Sequence, residues 1–371
     1  MNNNEYVTKP HYEILDGLRG LAAVVVLVFH IYEAYAVEKY TQMINHGYMA
    51  VDFFFVLSGF VIGYAYDERW GKMTLGNFFK RRIIRLHPMV VFGMVLGAAL
   101  FYFGASTVFP LVAGTPVWTM LAYMLLGMLL IPTPPSADIR GWQEMHTLDA
   151  PCWSLFFEYI ANILYALFIR RFSIVALSAL VFVSACATVY LTLSAGDVIG
   201  GWTFNAPHLQ VGFIRLIYPF FAGLLLYRLK KTAHIKHAFL WSSLLLLFVL
   251  FMPRIGDSKH DWMNGIYEAA VILAVFPLIV FLGANGRLKG TFAPKLCRFL
   301  GGISYPLYLI NYPILYVHNG WISDTHYTAK ETWWLIILLF VGIIALSYAV
   351  QKLYDEPVRA WLGKRFTKKQ G

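Results

Sequence analysis

The stretch Leu15-Asp16-Gly17-Leu18-Arg19-Gly20-Leu21-Ala22-Ala23-Val24-Val25-Val26-Leu27-Val28-Phe29-His30 decides the fold class. Between Arg19 and His30 it holds no charged or polar side chain. Extended to about residues 14–36, it is long enough to cross a bilayer as a helix, which needs about 20 apolar residues. It also has the length of a secretory leader. No small-x-small cleavage pattern follows, however, because the chain continues Tyr32-Glu33-Ala34-Tyr35. The segment therefore reads as a retained first span.

The rest of the chain has the same character. Of 371 residues, 59% are hydrophobic and 13% charged, with a mean hydropathy of +0.60. A soluble domain carries about 25% charged residues, so this much apolar surface calls for a bilayer as solvent. Apolar runs place ten spans at about 14–36, 48–66, 86–104, 152–169, 173–193, 212–229, 238–252, 264–283, 303–321 and 333–353. An eleventh run, 117–131, is short and bounded by Pro116, Pro132, Pro134 and Pro135. It reads as re-entrant or interfacial.

Charge placement supports that count. With the N-terminus inside and 117–131 not crossing, all but six of the 30 lysines and arginines fall on the cytoplasmic side. The exceptions are Lys39, Arg140, Arg215, Arg254, Lys259 and Lys330. If 117–131 crossed, every basic cluster from Arg170 onward would move outside, against the positive-inside rule. The expectation is an all-α polytopic protein of the inner membrane, with both termini cytoplasmic. Residues 1–356 form its transmembrane domain and 357–371 a basic cytoplasmic tail. The net charge of +10 is accounted for by this bias, so nucleic acid is not expected as a partner. Cys152, Cys186 and Cys297 show no disulfide or zinc spacing, and no metal is predicted.

Four clusters could carry chemistry, since ionisable groups at membrane depth are costly and usually have a partner or a task. Arg19 and His30 are eleven residues apart, three helical turns plus about 20°. They share one helix face about 16 Å apart along its axis. A neutral imidazole at that depth suits general-base work. Arg19 reads equally well as a helix-end arginine reaching headgroups, and His30 as a structural histidine. Asp52 begins the second span from the same side as His30, where a carboxylate could orient the imidazole. Ser58 and Gly59, further along that span, read as small residues that let helices approach. Arg82 and Arg85 are three apart on one face and suit bidentate phosphate capture. Their neighbours Lys80 and Arg81 read better as anchors to anionic lipid. Glu158 lies at the start of the fourth span, where it could align an acceptor hydroxyl or support a helix contact.

Together, LDGLRG…H at 15–30, VDFFFVLSGF at 51–60, RRIIRLHP at 81–88, WSLFFE at 153–158 and ISYPLYLINYPIL at 303–315 resemble the acyltransferase-3 family of membrane acyltransferases. The resemblance is colinear over about residues 11–355. It implies an O-acetyltransferase of ten helices that moves an acyl group, most often acetyl, from cytoplasmic acyl-CoA. The acceptor it implies is a hydroxyl of a carbohydrate or lipid-linked glycan at the outer face. It assigns function to Arg19, His30, Arg82 and Arg85. Family members often have His where this chain has Asn311. The combined expectation is a coenzyme bound by Arg19, Arg82 and Arg85, with catalysis by His30, Asp52 and Glu158. The rival reading is a transporter or glycan flippase whose polar pathway is lined by His30, Asp52 and Glu158.

Overall fold

A computed structural model describes residues 11–36, 38–256 and 259–366. Lys9, Lys368 and Lys369, assigned above to the cytoplasmic side, lie outside the described residues. So do positions 257–258 of the loop read as external and residues 367–371 of the tail. The described chain is helical throughout and contains no named strand.

The helices are α1 (Glu13–Glu33), α2 (Ala50–Tyr66), α3 (Leu75–Leu100), α4 (Val117–Met128), α5 (Cys152–Leu167), α6 (Ile174–Ala195) and α7 (Ala206–Arg228). They continue as α8 (Ala238–Phe251), α9 (Asp261–Ala270), α10 (Phe276–Ala284), α11 (Phe292–Thr325), α12 (Trp333–Val350) and α13 (Glu356–Phe366). A π turn joins α9 to α10, and another joins α12 to α13. Local chemistry sets several boundaries. The side chains of Thr74, Ser173 and Asn205 accept backbone N–H groups at the starts of α3, α6 and α7. Gly196, at φ +79°, ends α6 in the left-handed conformation that favours glycine.

Among the described residues, seven helical segments are long and apolar enough to cross a membrane by length and composition. Helix α4, with 12 residues, spans only about 18 Å at 1.5 Å per residue. That is short of the roughly 30 Å hydrocarbon layer. Helices α3 and α11 differ most from their expected bounds: α3 begins at Leu75 rather than 86, and α11 begins at Phe292 rather than 303 and runs 34 residues. The first turns of α11 carry Lys295 and Arg298, which break the apolar run without breaking the helix.

Two close crossings place the site. Helix α1 lies along α11, where Gly20 sits against the Leu300 backbone so closely that a Cβ would collide with it. Helix α2 lies along α7, with Gly59 against the Phe220 carbonyl and Gly223 against the Val56 carbonyl. The small-residue reading of Gly59 therefore has a structural counterpart. Apolar side chains of α1 such as Leu18, Ala22 and Leu27 are fully buried. By contrast α6 and α12 present Phe182, Val183, Trp334 and Leu338 outward.

Candidate active site

The crossings leave a cavity of about 400 Å³ between α1, α2, α3, α5 and α11. Arginines dominate one end of it. Arg19 donates to the Ser304 hydroxyl (2.9 Å) and the Gly301 carbonyl (3.1 Å), and pairs with Asp16 at 3.0 Å. Arg82 is buried and donates to Glu158 Oε1 at 2.6 Å, while Ser58 Oγ donates to the same oxygen at 2.7 Å. Arg85 also lines the cavity, but among the described residues it makes no hydrogen bond and no ion pair within 4 Å. The electrostatic consequence is direct. Arg82 has its countercharge in Glu158 and Arg19 in Asp16, whereas Arg85 faces open space with two guanidiniums nearby. That arrangement favours an anion.

The other end of the cavity is framed by Phe54, Ser154 and Tyr308. Tyr308 is fixed by a 2.7 Å hydrogen bond with Ser154 Oγ and an edge contact with Phe54. One turn further along α11, about 6 Å, Tyr312 meets the His30 ring edge-on, with centroids 4.7 Å apart. His30 Nδ1 lies 2.7 Å from Glu33 Oε2. The His30 side chain is 19% exposed and Glu33 35%, so the pair is reachable from outside the bundle. An imidazole that donates its Nδ1–H to Glu33 leaves Nε2 free to take a proton.

Of the residues singled out in sequence, the structure brings Arg19, Arg82, Arg85 and Glu158 to one cavity. Asp52 is elsewhere. Its carboxylate is buried and receives both Arg215 Nε (3.2 Å) and Arg215 Nη2 (2.7 Å), while the same guanidinium donates to the carbonyls of Gly200 and Tyr48. The carboxylate beside His30 is therefore Glu33, not Asp52 or Glu158. Arg215, counted above among the basic residues of the outer side, lies within the span expected at 212–229, and α7, which begins at Ala206, carries it into the bundle.

Sequence reasoning passed over Glu33, although it stands one turn from His30 on the same face, a spacing that was legible. It also read Ser58 as packing, whereas the hydroxyl bonds Glu158. Ser154 and Tyr308 of the cavity wall lie inside the motifs at 153–158 and 303–315 but were given no role there, and Arg359 lies in the segment read as a basic tail. Asn311 is turned onto its own helix, donating to the carbonyls of Leu307 and Tyr308.

Arginines thus gather at one end of the cavity, and a histidine–glutamate pair lies beyond the other. The acyltransferase-3 family model, an acyltransferase domain, matches residues 12–352, and the chain belongs to that family. It is 22% identical to the peptidoglycan O-acetyltransferase OatA of Listeria monocytogenes, over 97% of this chain and 57% of that protein. It is 25% identical to the putative peptidoglycan O-acetyltransferase YrhL of Bacillus subtilis, over 96% of this chain and 56% of that protein. "Protein 2 in picA locus" of Rhizobium radiobacter is 33% identical over 50% of this chain and 94% of its own length. The chain thus spans little more than half the length of these O-acetyltransferase relatives. No solved structure matches it.

Proposed function

We propose that this chain is a membrane O-acyltransferase of the bacterial inner membrane. In this reading it moves an acetyl group from cytoplasmic acetyl-CoA to a hydroxyl of a carbohydrate or lipid-linked glycan at the outer face. Helices α1, α2, α3, α5, α6, α7, α8, α9–α10, α11 and α12 make ten crossings, α4 does not cross, and both termini are cytoplasmic. The basic residues at the Arg19 end of the bundle support that orientation.

The observation that carries the proposal is the unpaired Arg85 guanidinium in a cavity that ends one helical turn from the His30 contact. Arg85, with Arg19 and Arg82 beside it, suits the phosphates of the donor. Glu158 and Ser58 hold Arg82 in place. The cavity reaches Tyr308, so a thioester in it lies near that ring. At His30, Nε2 takes the proton of the acceptor hydroxyl as its oxygen attacks the thioester carbonyl. The new C–O bond forms, the C–S bond breaks, and the proton passes on to the departing thiolate. Glu33 holds Nδ1 and balances the transient imidazolium.

Thermal unfolding of the detergent-purified protein with and without coenzyme A tests the donor assignment. Ligand at about 100 times its Kd stabilises a fold by about 2.7 kcal/mol, so a clear rise in Tm is expected for the wild type. The absence of any shift at millimolar coenzyme A contradicts the proposal.

A further inference from the structure

A second cavity, about 460 Å³ and open at the surface, lies on the far side of Arg85 between α3 and α13. It shares Arg85 and Arg359 with the first cavity and adds Arg81 and the ring of Tyr66. We propose that this outer cavity holds the nucleotide end of the donor, with Arg81 and Arg359 binding a terminal phosphate monoester and Tyr66 offering a face to the base. This deepens the function proposed above and rests on it. Arg81, which the sequence suggested was a lipid anchor, and Arg359, in the segment read as a plain basic tail, become specificity residues for the donor.

The fold supplies the reason Arg359 reaches this place. The π turn at Gln351–Asp355 adds a residue's worth of rotation between α12 and α13, and such turns recur at functional sites. Helix α13 then lies along α3, beyond the last residue matched by the family model. Asp355 is buried and fixes Arg359 through a 2.7 Å ion pair. Glu356, the other acid facing the cavity, is occupied by Lys352 Nζ at 2.6 Å and Gln351 Nε2 at 2.8 Å. Arg81 makes no hydrogen bond or ion pair among the described residues. With Arg359 balanced by Asp355 and Glu356 by Lys352, the balance left facing the space is cationic, in Arg81 and Arg85, with Arg359 held beside them. A monoester phosphate carries close to two negative charges at neutral pH and accepts paired guanidinium bonds.

The two cavities sit in series, so a ligand long enough to fill both has its phosphates strung from the surface past Arg85 toward the thioester end. Such a donor is a nucleotide-tailed thioester. A bare pantetheine thioester would fill the inner cavity alone.

The experiment measures binding of coenzyme A, dephospho-coenzyme A and pantetheine to the detergent-purified full chain by calorimetry. The wild type should bind coenzyme A about tenfold or more tighter than dephospho-coenzyme A, the scale of one charge-assisted contact pair. Arg81→Ala and Arg359→Ala should each shrink that gap, leaving dephospho-coenzyme A affinity within about twofold. Arg359→Lys, which keeps a charge near Asp355, should recover part of the gap and controls for displacement of α13. A wild type that binds both nucleotides equally overturns this inference and leaves the function reading intact. Variants that weaken both nucleotides to the same degree overturn it as well. If coenzyme A does not bind at all, both readings fall together.

Discussion

His30 Nδ1 and Glu33 Oε2 stand 2.7 Å apart on consecutive turns of α1, and the pair lies beyond the inner end of the arginine-lined cavity. One helix thus carries Arg19 and His30, separated by about three turns. Its burial against α11 keeps both on one face. Glu33→Gln, which keeps the hydrogen bond and removes the charge, should lower kcat about tenfold to a hundredfold. KM for the donor should change little. Unchanged kcat would reduce Glu33 to a surface partner.

Arg85 lines both cavities and, among the described residues, makes no hydrogen bond and no ion pair within 4 Å. Arg85→Ala should weaken acetyl-CoA about tenfold to a hundredfold, the loss of a charge-assisted contact. A pantetheine thioester, which lacks the nucleotide end, should be affected far less. Equal losses for both donors would make Arg85 a structural residue.

Asp52 and Arg215 form a buried pair whose remaining donors are bound to backbone carbonyls. Removing one partner strands a charge, at a cost of about 3–5 kcal/mol. Asp52→Ala should therefore lower the folded yield and the Tm before it touches chemistry. A variant that folds with wild-type stability yet cannot turn over would restore Asp52 as a catalytic carboxylate.

Glu144 lies in the loop before α5 and hydrogen-bonds with the Tyr316 hydroxyl. Burial pushes its carboxyl up to about 8, with Tyr316 and Arg140 opposing. An unfolded glutamate titrates near 4.3. The fold binds this proton more tightly than the unfolded chain does. Its stabilising contribution is full below about pH 4.3 and is lost as pH rises through about 8. Glu144→Gln should remove that slope, so the Tm difference, variant minus wild type, should grow more positive between about pH 5 and pH 8. A constant difference would contradict the shifted carboxyl.

Much of the bundle was legible because a bilayer leaves few options. Apolar run length marked α1, α2, α6 and α12 closely, since a spanning segment must satisfy its own backbone. The boundaries that moved are those where polar residues continue a helix, as Lys80, Arg81 and Arg82 do in α3 and Lys295 and Arg298 do in α11. Hydropathy ends the span at such residues, and the partner of a buried cation, as Asp52 is for Arg215, is distant in sequence and invisible to it. The arginines at one cavity end were legible from the spacing of Arg82 and Arg85. The partition of the acids was not. Asp52 and Glu158 look alike in sequence, and only the packing of α2 on α7 and of α3 beside α5 decides which cation each one meets. The outer cavity depends on a π turn, which leaves no compositional mark.

The central claim is that His30 performs the transfer at the end of a donor cavity. The direct test is transfer of labelled acetyl from acetyl-CoA by the purified protein, comparing His30→Ala with wild type at matched folding and matched coenzyme A binding. The account predicts that donor binding persists while turnover falls by at least about a hundredfold, the range of a positioned general base. Wild-type turnover in a folded His30→Ala protein would contradict it.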